Sequence, residues 1–292
     1  MKSKLVLAVV FLILFVTLFY LKDHLAIFTP KATKSAQELS PKPKSVILRV
    51  GLVADSENDN DLLAKALDQL KGMGVNFVIG LGDWSQVGTI KELSDVKVIF
   101  DKSKLTYYLT PGDHDLWDSR NRGQDALTNY KQIFGEPSQV FDKNGIRFVI
   151  LDNSDIYKGI DPSTWSLVTG SWSNPPKLHF VFAHKTPFHP QSAHIMGEDS
   201  PDVARQAQSL LSLIEAKKLD GYFSGDLHFF AKFNSPSGSV KITTIGAVEQ
   251  DRNFQGPRFG ILTVYKQSFS ANKDAFSANN DYSWNVEDVE IR

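Results

Sequence analysis

Residues 75–83 read VNFVIGLGD and residues 105–115 read LTYYLTPGDHD. Each is a run of β-branched, aromatic and aliphatic residues that stops at a Gly followed by an acid. A short apolar run bounded by such a turn signal reads as a strand buried on both faces. The pattern recurs to either side. SVILRVGLVAD (45–55) leads into Ser56-Glu57, LHFVFAH (178–184) ends in His184, and GYFSGDLH (221–228) ends in Asp226 and His228. One polar strand end is ordinary turn chemistry. Five that all supply carboxylates or imidazoles need another explanation.

Helical spacing separates these strands. Asp61 to Lys71 puts Leu62, Leu63, Ala66, Leu67 and Leu70 on one face and stops at Gly72 and Gly74. Pro201 to Lys218 carries Asp202 in its first turn and Lys217 and Lys218 in its last, as the helix dipole prefers. Asp125 to Phe134 is a third predicted helix, and Thr89 to Phe100 fits helix or strand. Within VFDKNGIRFVILDNS (140–154), Asn144-Gly145 predicts a two-residue hairpin turn. VKITTIGAV, FGILTVYK and SWNVEDVEIR predict strands toward the C-terminal end. This order predicts an α/β layered domain over residues 45–292. Ligands of open α/β sheets bind beyond the carboxyl ends of the strands, where the acids and histidines cluster.

The chain has 292 residues, 42% of them hydrophobic, enough for a large core. It has no Cys, which excludes disulfides, thiolate metal sites and thiol nucleophiles. The formal charge of −1 is uneven: residues 1–44 hold seven Lys against Asp23 and Glu38, so the remainder is acidic. An acidic body attracts a long polyanion poorly, so nucleic acid is not expected as a partner. Leu5 to Leu21 is apolar on every face and close to the shortest length that spans a bilayer. Lys22-Asp23-His24 follows it with no small-x-small cleavage site. We therefore expect a membrane anchor over residues 1–24, one N-terminal transmembrane helix retained as a signal-anchor. A Pro-, Lys- and Ser-rich linker over 25–44 and an extracytoplasmic body would follow. A cleaved signal peptide is the rival reading.

The ordered set Asp55-Ser56-Glu57, Gly82-Asp83, Gly112-Asp113-His114-Asp115, His184 and Gly225-Asp226-Leu227-His228 resembles the calcineurin-like metallophosphoesterases. Their pattern runs D-x-H, G-D, G-N-H-[DE], a lone His, then G-H-x-H, each after a strand. The resemblance covers residues from about 45 to 265. It implies a four-layer αββα sandwich and a dinuclear metal centre that activates water against a phosphomonoester or phosphodiester. It assigns Asp83 as the bridging ligand, Asp55, Glu57 and His228 to one ion, and Asp113, His184 and Asp226 to the other. His114 becomes the acid beside the phosphate, with Asp115 placed to orient its ring. Three positions depart from the pattern: Glu57 and Asp226 stand where the family has His, and Asp113 where it has Asn. The resulting oxygen-rich ligand set favours Mn²⁺ or Mg²⁺ over Zn²⁺, and Ca²⁺ also suits it. Lys185, His189 and Arg120 are candidate contacts to substrate phosphate, as are His194, Arg122, Arg252 and Arg258. The leading expectation is a membrane-anchored, metal-dependent phosphoesterase. A metal-binding module without catalysis is the alternative, and a metal-dependent nuclease ranks third.

Overall fold

The computed structural model describes residues 44–267 and 281–292. The expected anchor and all of the expected linker except Lys44 lie outside the described residues. Lys44 is the first residue of a strand.

The described residues form eleven strands and six α-helices. The strands are β1 (Lys44–Val53), β2 (Phe77–Leu81), β3 (Tyr107–Thr110), β4 (Gln139–Lys143), β5 (Ile146–Leu151), β6 (Leu178–Ala183), β7 (Gly221–Ser224), β8 (Ala231–Asn234), β9 (Lys241–Thr244), β10 (Arg258–Gln267) and β11 (Tyr282–Glu290). The helices are α1 (Asn60–Gly72), α2 (Ile90–Ser103), α3 (Trp117–Asn121), α4 (Thr128–Phe134), α5 (Pro162–Gly170) and α6 (Pro201–Ala216). One sheet has the order β11-β10-β1-β2-β3 and the other β4-β5-β6-β7-β9-β8. The central pairs β1·β2, β2·β3, β5·β6 and β6·β7 are parallel. Their carboxyl ends therefore point the same way within each sheet.

The two sheets face each other across a shared core. Leu48, Val50, Leu52, Phe77 and Ile79 come from one side, and Phe148, Ile150, Phe180, Phe182 and Phe223 from the other. Phe182 stacks between Phe148 and Phe223, with centroids 5.9 and 4.9 Å away. The outer face of the first sheet is covered by Leu63 and Leu67 of α1 and Leu93 and Phe100 of α2. Val168 of α5 and Val203, Leu210 and Ile214 of α6 cover the second. The layers are thus helix, sheet, sheet, helix, the four-layer arrangement that the resemblance implies.

Local chemistry sets the element ends. The Thr89 hydroxyl accepts from the Glu92 N–H and Glu92 accepts from the Thr89 N–H, so the ambiguous 89–100 segment starts as a capped helix. Ser200 caps α6, with Pro201 in the first turn. The hairpin turn forms as expected: Asn144 and Gly145 both have positive φ, and Lys143 pairs with Ile146. The strand expected over 105–115 stops at Thr110. Pro111 lacks a ladder N–H, and His114–Leu116 winds into a 3-10 turn instead. Among the described residues no helix is long and apolar enough to cross a membrane.

Candidate metal centre

Five strand ends from both sheets converge. Asp55 and Glu57 follow β1, Asp83 follows β2, Asp113 follows β3, His184 follows β6, and Asp226 and His228 follow β7. Three clusters of donor atoms result: Asp55–Asp83–His184, Glu57–Asp83–His228 and Asp113–His184–Asp226. Asp83 and His184 each belong to two of them. The Gly-Asp pairs of the sequence now have a reason. A Cβ on Gly82 would lie 2.5 Å from the Gly112 nitrogen, and one on Gly112 would lie 2.0 Å from Asp83 Oδ1. Only two glycines let the β2 and β3 ends approach closely enough to bring Asp83 and Asp113 together.

The backbone is strained at the same place. Eleven non-glycine residues among those described have positive φ, and five are candidate ligands: Asp55, Glu57, Asp83, Asp226 and His228. Such conformations cost on the order of 1–3 kcal/mol each and persist where surrounding contacts over-determine them. Here the loops are tied together. Asp55 donates its N–H to the Gly82 carbonyl, Glu57 to that of Asp83, and Gly225 to that of His184.

His184 is fully buried. Its Nδ1 lies 2.7 Å from the Leu81 carbonyl, which can only accept, so Nδ1 carries the proton and Nε2 faces the acids. Nε2 is 3.5 Å from Asp83 Oδ2, 3.3 Å from Asp113 Oδ1 and 3.5 Å from Asp226 Oδ1. His228 Nε2 is 3.4 Å from Glu57 Oε1, and its Nδ1 is 3.0 Å from Glu249 Oε1. The donor set fits a hard divalent cation. Asp55 Oδ2 and Asp226 Oδ2 are buried and accept no hydrogen bond, leaving lone pairs that only a cation or water can satisfy.

Charge divides the centre unevenly. Burial pushes the Asp55 carboxyl up to about 6, against the pull of His228 and His184. Asp83 is raised well above the ordinary carboxylate range by burial, with Asp113, Asp115 and Asp55 adding to the rise and His184 opposing it. Asp226 and Asp113 go the other way. Burial opposes their ionisation too, but Lys185 and His184 outweigh it and hold both below the ordinary range. Burial likewise opposes charge on His184 and Lys185, yet the surrounding carboxylates raise both.

His114 borders a cavity of about 270 Å³ with Asp83, Asp113, His194, Asp226, Leu227, His228 and Arg252. Its N–H donates to Asp83 Oδ1, and its ring stacks on Trp117 at 4.0 Å. The expected partnership with Asp115 is not made. His114 Nδ1 is 3.0 Å from the Gln86 carbonyl instead. Asp115 is fully buried and accepts from the N–H groups of Trp84, Ser85 and Gly112 and from the Ser85 hydroxyl. It ties the β2 loop to the β3 loop rather than steering the imidazole.

The expected substrate contacts are redistributed. Arg120 lies 3.4 Å from Asp155 and over the Tyr157 ring, committed away from the acids. The His189 ring accepts from the Gln191 and Ser192 N–H groups and packs edge-on against Phe233. Lys185 reaches the centre, but buried and ion-paired inside it. His194 and Arg252 do line the cavity, although nothing in their local sequence set them apart from other basic residues. Glu249, from the loop between β9 and β10, was not anticipated; no motif surrounds it.

The family model of calcineurin-like phosphoesterases matches residues 48–230, and the chain belongs to that family, whose members depend on dinuclear metal centres. A comparison with curated proteins finds no sequence match. Among solved structures the chain is similar to a dimetal phosphatase from Danio rerio, with a TM-score of 0.55 at 16% identity over 76% of this chain and 96% of that one. It is similar to the purple acid phosphatase PPD1 from yellow lupin (Lupinus luteus) seeds, with a TM-score of 0.54 at 14% identity over 85% of this chain and 54% of that one, about half its length. It is also similar to GAP50, the anchor in the inner membrane complex of Plasmodium, with a TM-score of 0.50 at 15% identity over 84% and 89% of the two chains. At these identities the likeness concerns the fold.

Proposed function

We propose that this chain is a metal-dependent phosphoesterase that hydrolyses phosphomonoesters or phosphodiesters. The observation that carries this reading is the convergence of seven acidic and imidazole side chains from five strand ends into three metal-type clusters, with Asp83, Asp113, Asp226 and His228 lining one cavity. Asp55, Glu57, Asp83 and His228 would hold the metal, with Mn²⁺ or Mg²⁺ suiting their oxygen-rich set better than Zn²⁺. When bound, such an ion supplies Lewis acidity toward phosphate oxygens and a water that ionises near neutral pH. The chain's own residues supply the rest. Since the Gln86 carbonyl only accepts, it holds the proton on His114 Nδ1 and leaves Nε2 as the nitrogen that exchanges a proton with the leaving oxygen. Arg252, half exposed at the rim, offers its guanidinium to a phosphate oxygen. The Leu5–Leu21 segment would anchor the chain in a bilayer, with the folded body outside the cytoplasm.

The test uses the full chain, purified in detergent and assayed on p-nitrophenyl phosphate and bis(p-nitrophenyl) phosphate with Mn²⁺, Mg²⁺ or Zn²⁺. Turnover with at least one ion is expected. Stoichiometric metal without turnover on either ester would favour the second reading, a metal-binding module without catalysis. That reading draws on the cations already paired with Glu57, Asp113 and Asp226. Resistance of the full chain to carbonate extraction from membranes tests the anchor.

A further inference from the structure

Lys185 directly follows the ligand His184, and its side chain turns inward. Its Nζ lies 2.5 Å from Asp226 Oδ1 and 2.9 Å from Asp113 Oδ1. These are the two oxygens that face His184 Nε2 at 3.5 and 3.3 Å. The ammonium therefore occupies the carboxylate oxygens that point toward His184 in this cluster, with Asp226 Oδ2 left without a hydrogen bond. We propose that the Lys185 ammonium takes the place of the second metal ion, so that the centre holds a single divalent ion on the side of Asp55, Glu57, Asp83 and His228. This inference rests on the metal-binding part of the function proposed above.

Three features support it. The lysine is held in place from both sides of its peptide. Its N–H donates to Asn153 Oδ1, while Asn153 Nδ2 and the Tyr222 hydroxyl both donate to its carbonyl. Asn153 and Tyr222 are themselves fully buried. These bonds fix the Lys185 backbone, its side chain is buried between the two acids, and an ammonium left there would repel a divalent ion.

The distribution of cations also matches. Glu57, Asp113 and Asp226, the three acids that depart from the motif pattern quoted above, are the ones that meet a Lys or Arg. Asp55 and Asp83 have ion-pair contacts only to His184 among the described residues. Arg252 differs from Lys185 in mobility. It is 56% exposed at the cavity rim and can leave Glu57 without crossing protein. The first half of the centre therefore opens to an incoming ion and the second does not.

The experiment reads metal count and coupling, not turnover. The full chain in detergent is stripped with a chelator, saturated with Mn²⁺, and examined by elemental analysis and electron paramagnetic resonance. The expected result is one Mn²⁺ per chain with the six-line spectrum of isolated ions. Lys185→Met, which keeps the length and removes the charge, should bind two and show the spectrum of an exchange-coupled pair. Two coupled ions in the unaltered chain would overturn the inference, as would no bound ion, or a Lys185→Met variant that folds yet stays at one. If that variant does not fold, the spectrum of the unaltered chain decides alone. A single ion without esterase turnover would sink the phosphoesterase reading and leave this inference standing. A coupled pair with turnover would do the reverse.

Discussion

Asp55 and Asp83, at the ends of β1 and β2, have no lysine or arginine within ion-pair distance among the described residues, whereas Asp113 and Asp226, at the ends of β3 and β7, share Lys185. All four are buried or nearly so. The consequence differs with the neighbour. Without a fixed cation, burial drives Asp55 up to about 6 and raises Asp83 well above the ordinary carboxylate range. With Lys185 and His184 beside them, Asp113 and Asp226 stay ionised despite burial. A family fold built around two metal positions can thus fill one with a cation from solution and the other with a side chain. The gain for the second position is permanence, since a lysine cannot be lost to a chelator.

Substitution of the shared ligand should give the largest contrast. Asp83→Asn is expected to reduce both metal content and turnover to background, while Asp113→Asn, whose partner is the lysine, keeps the metal and loses less activity. Equal metal loss in the two variants, read by elemental analysis, would erase the distinction. Next in size is His114→Ala. It should lower turnover by roughly 10²–10⁴-fold with metal content unchanged. Metal loss in that variant would mean that the loop following β3 supports the ion and not the proton transfer.

Asp115 joins the two halves. Replacing it with Ala strands three backbone N–H groups and a hydroxyl in the interior. Urea unfolding should show a loss of about 3 kcal/mol, more than a surface carboxylate would contribute. A loss below about 0.5 kcal/mol would show that the loops hold together without it.

The smallest effect lies outside the centre and gives a baseline for it. His179 is buried against Trp172, and burial, helped by the Arg147 charge, lowers it to about 4. Its folded value lies below the unfolded one, near 6.5. The unfolded chain therefore binds the proton first, and stability falls as pH drops from about 6.5 toward 4. Thermal melts of His179→Gln should show a flatter decline across that window. An unchanged slope would assign the acid sensitivity to other groups.

Much of this was legible in the chain itself, because the informative signals are local. Five apolar runs ending in acids or histidines located the strands, and the candidate ligand residues sit within four positions of those ends. The Thr89-x-x-Glu92 capping box was present too, although apolar periodicity alone left that segment ambiguous. Helix α5 went unread despite Asp161 and Pro162 at its start, since so short a helix shows little periodicity. What escaped was pairing between distant segments. Arg252 meets Glu57 across 195 positions, and Asp115 meets Trp84 across 31. Lys185 was visible as a base beside a candidate ligand, but whether it faced substrate or the interior depended on Asp113 and Asp226, far from it in sequence. Which donors a buried acid finds is decided by the approach of the loops, and Gly82 and Gly112 set that approach.

The most direct test is an anomalous difference map from crystals of the protein soaked in Mn²⁺. One strong peak bordered by Asp55, Glu57, Asp83 and His228 is expected, with Lys185 Nζ still between Asp113 and Asp226. A second peak among Asp113, His184 and Asp226, with the lysine displaced, would contradict it.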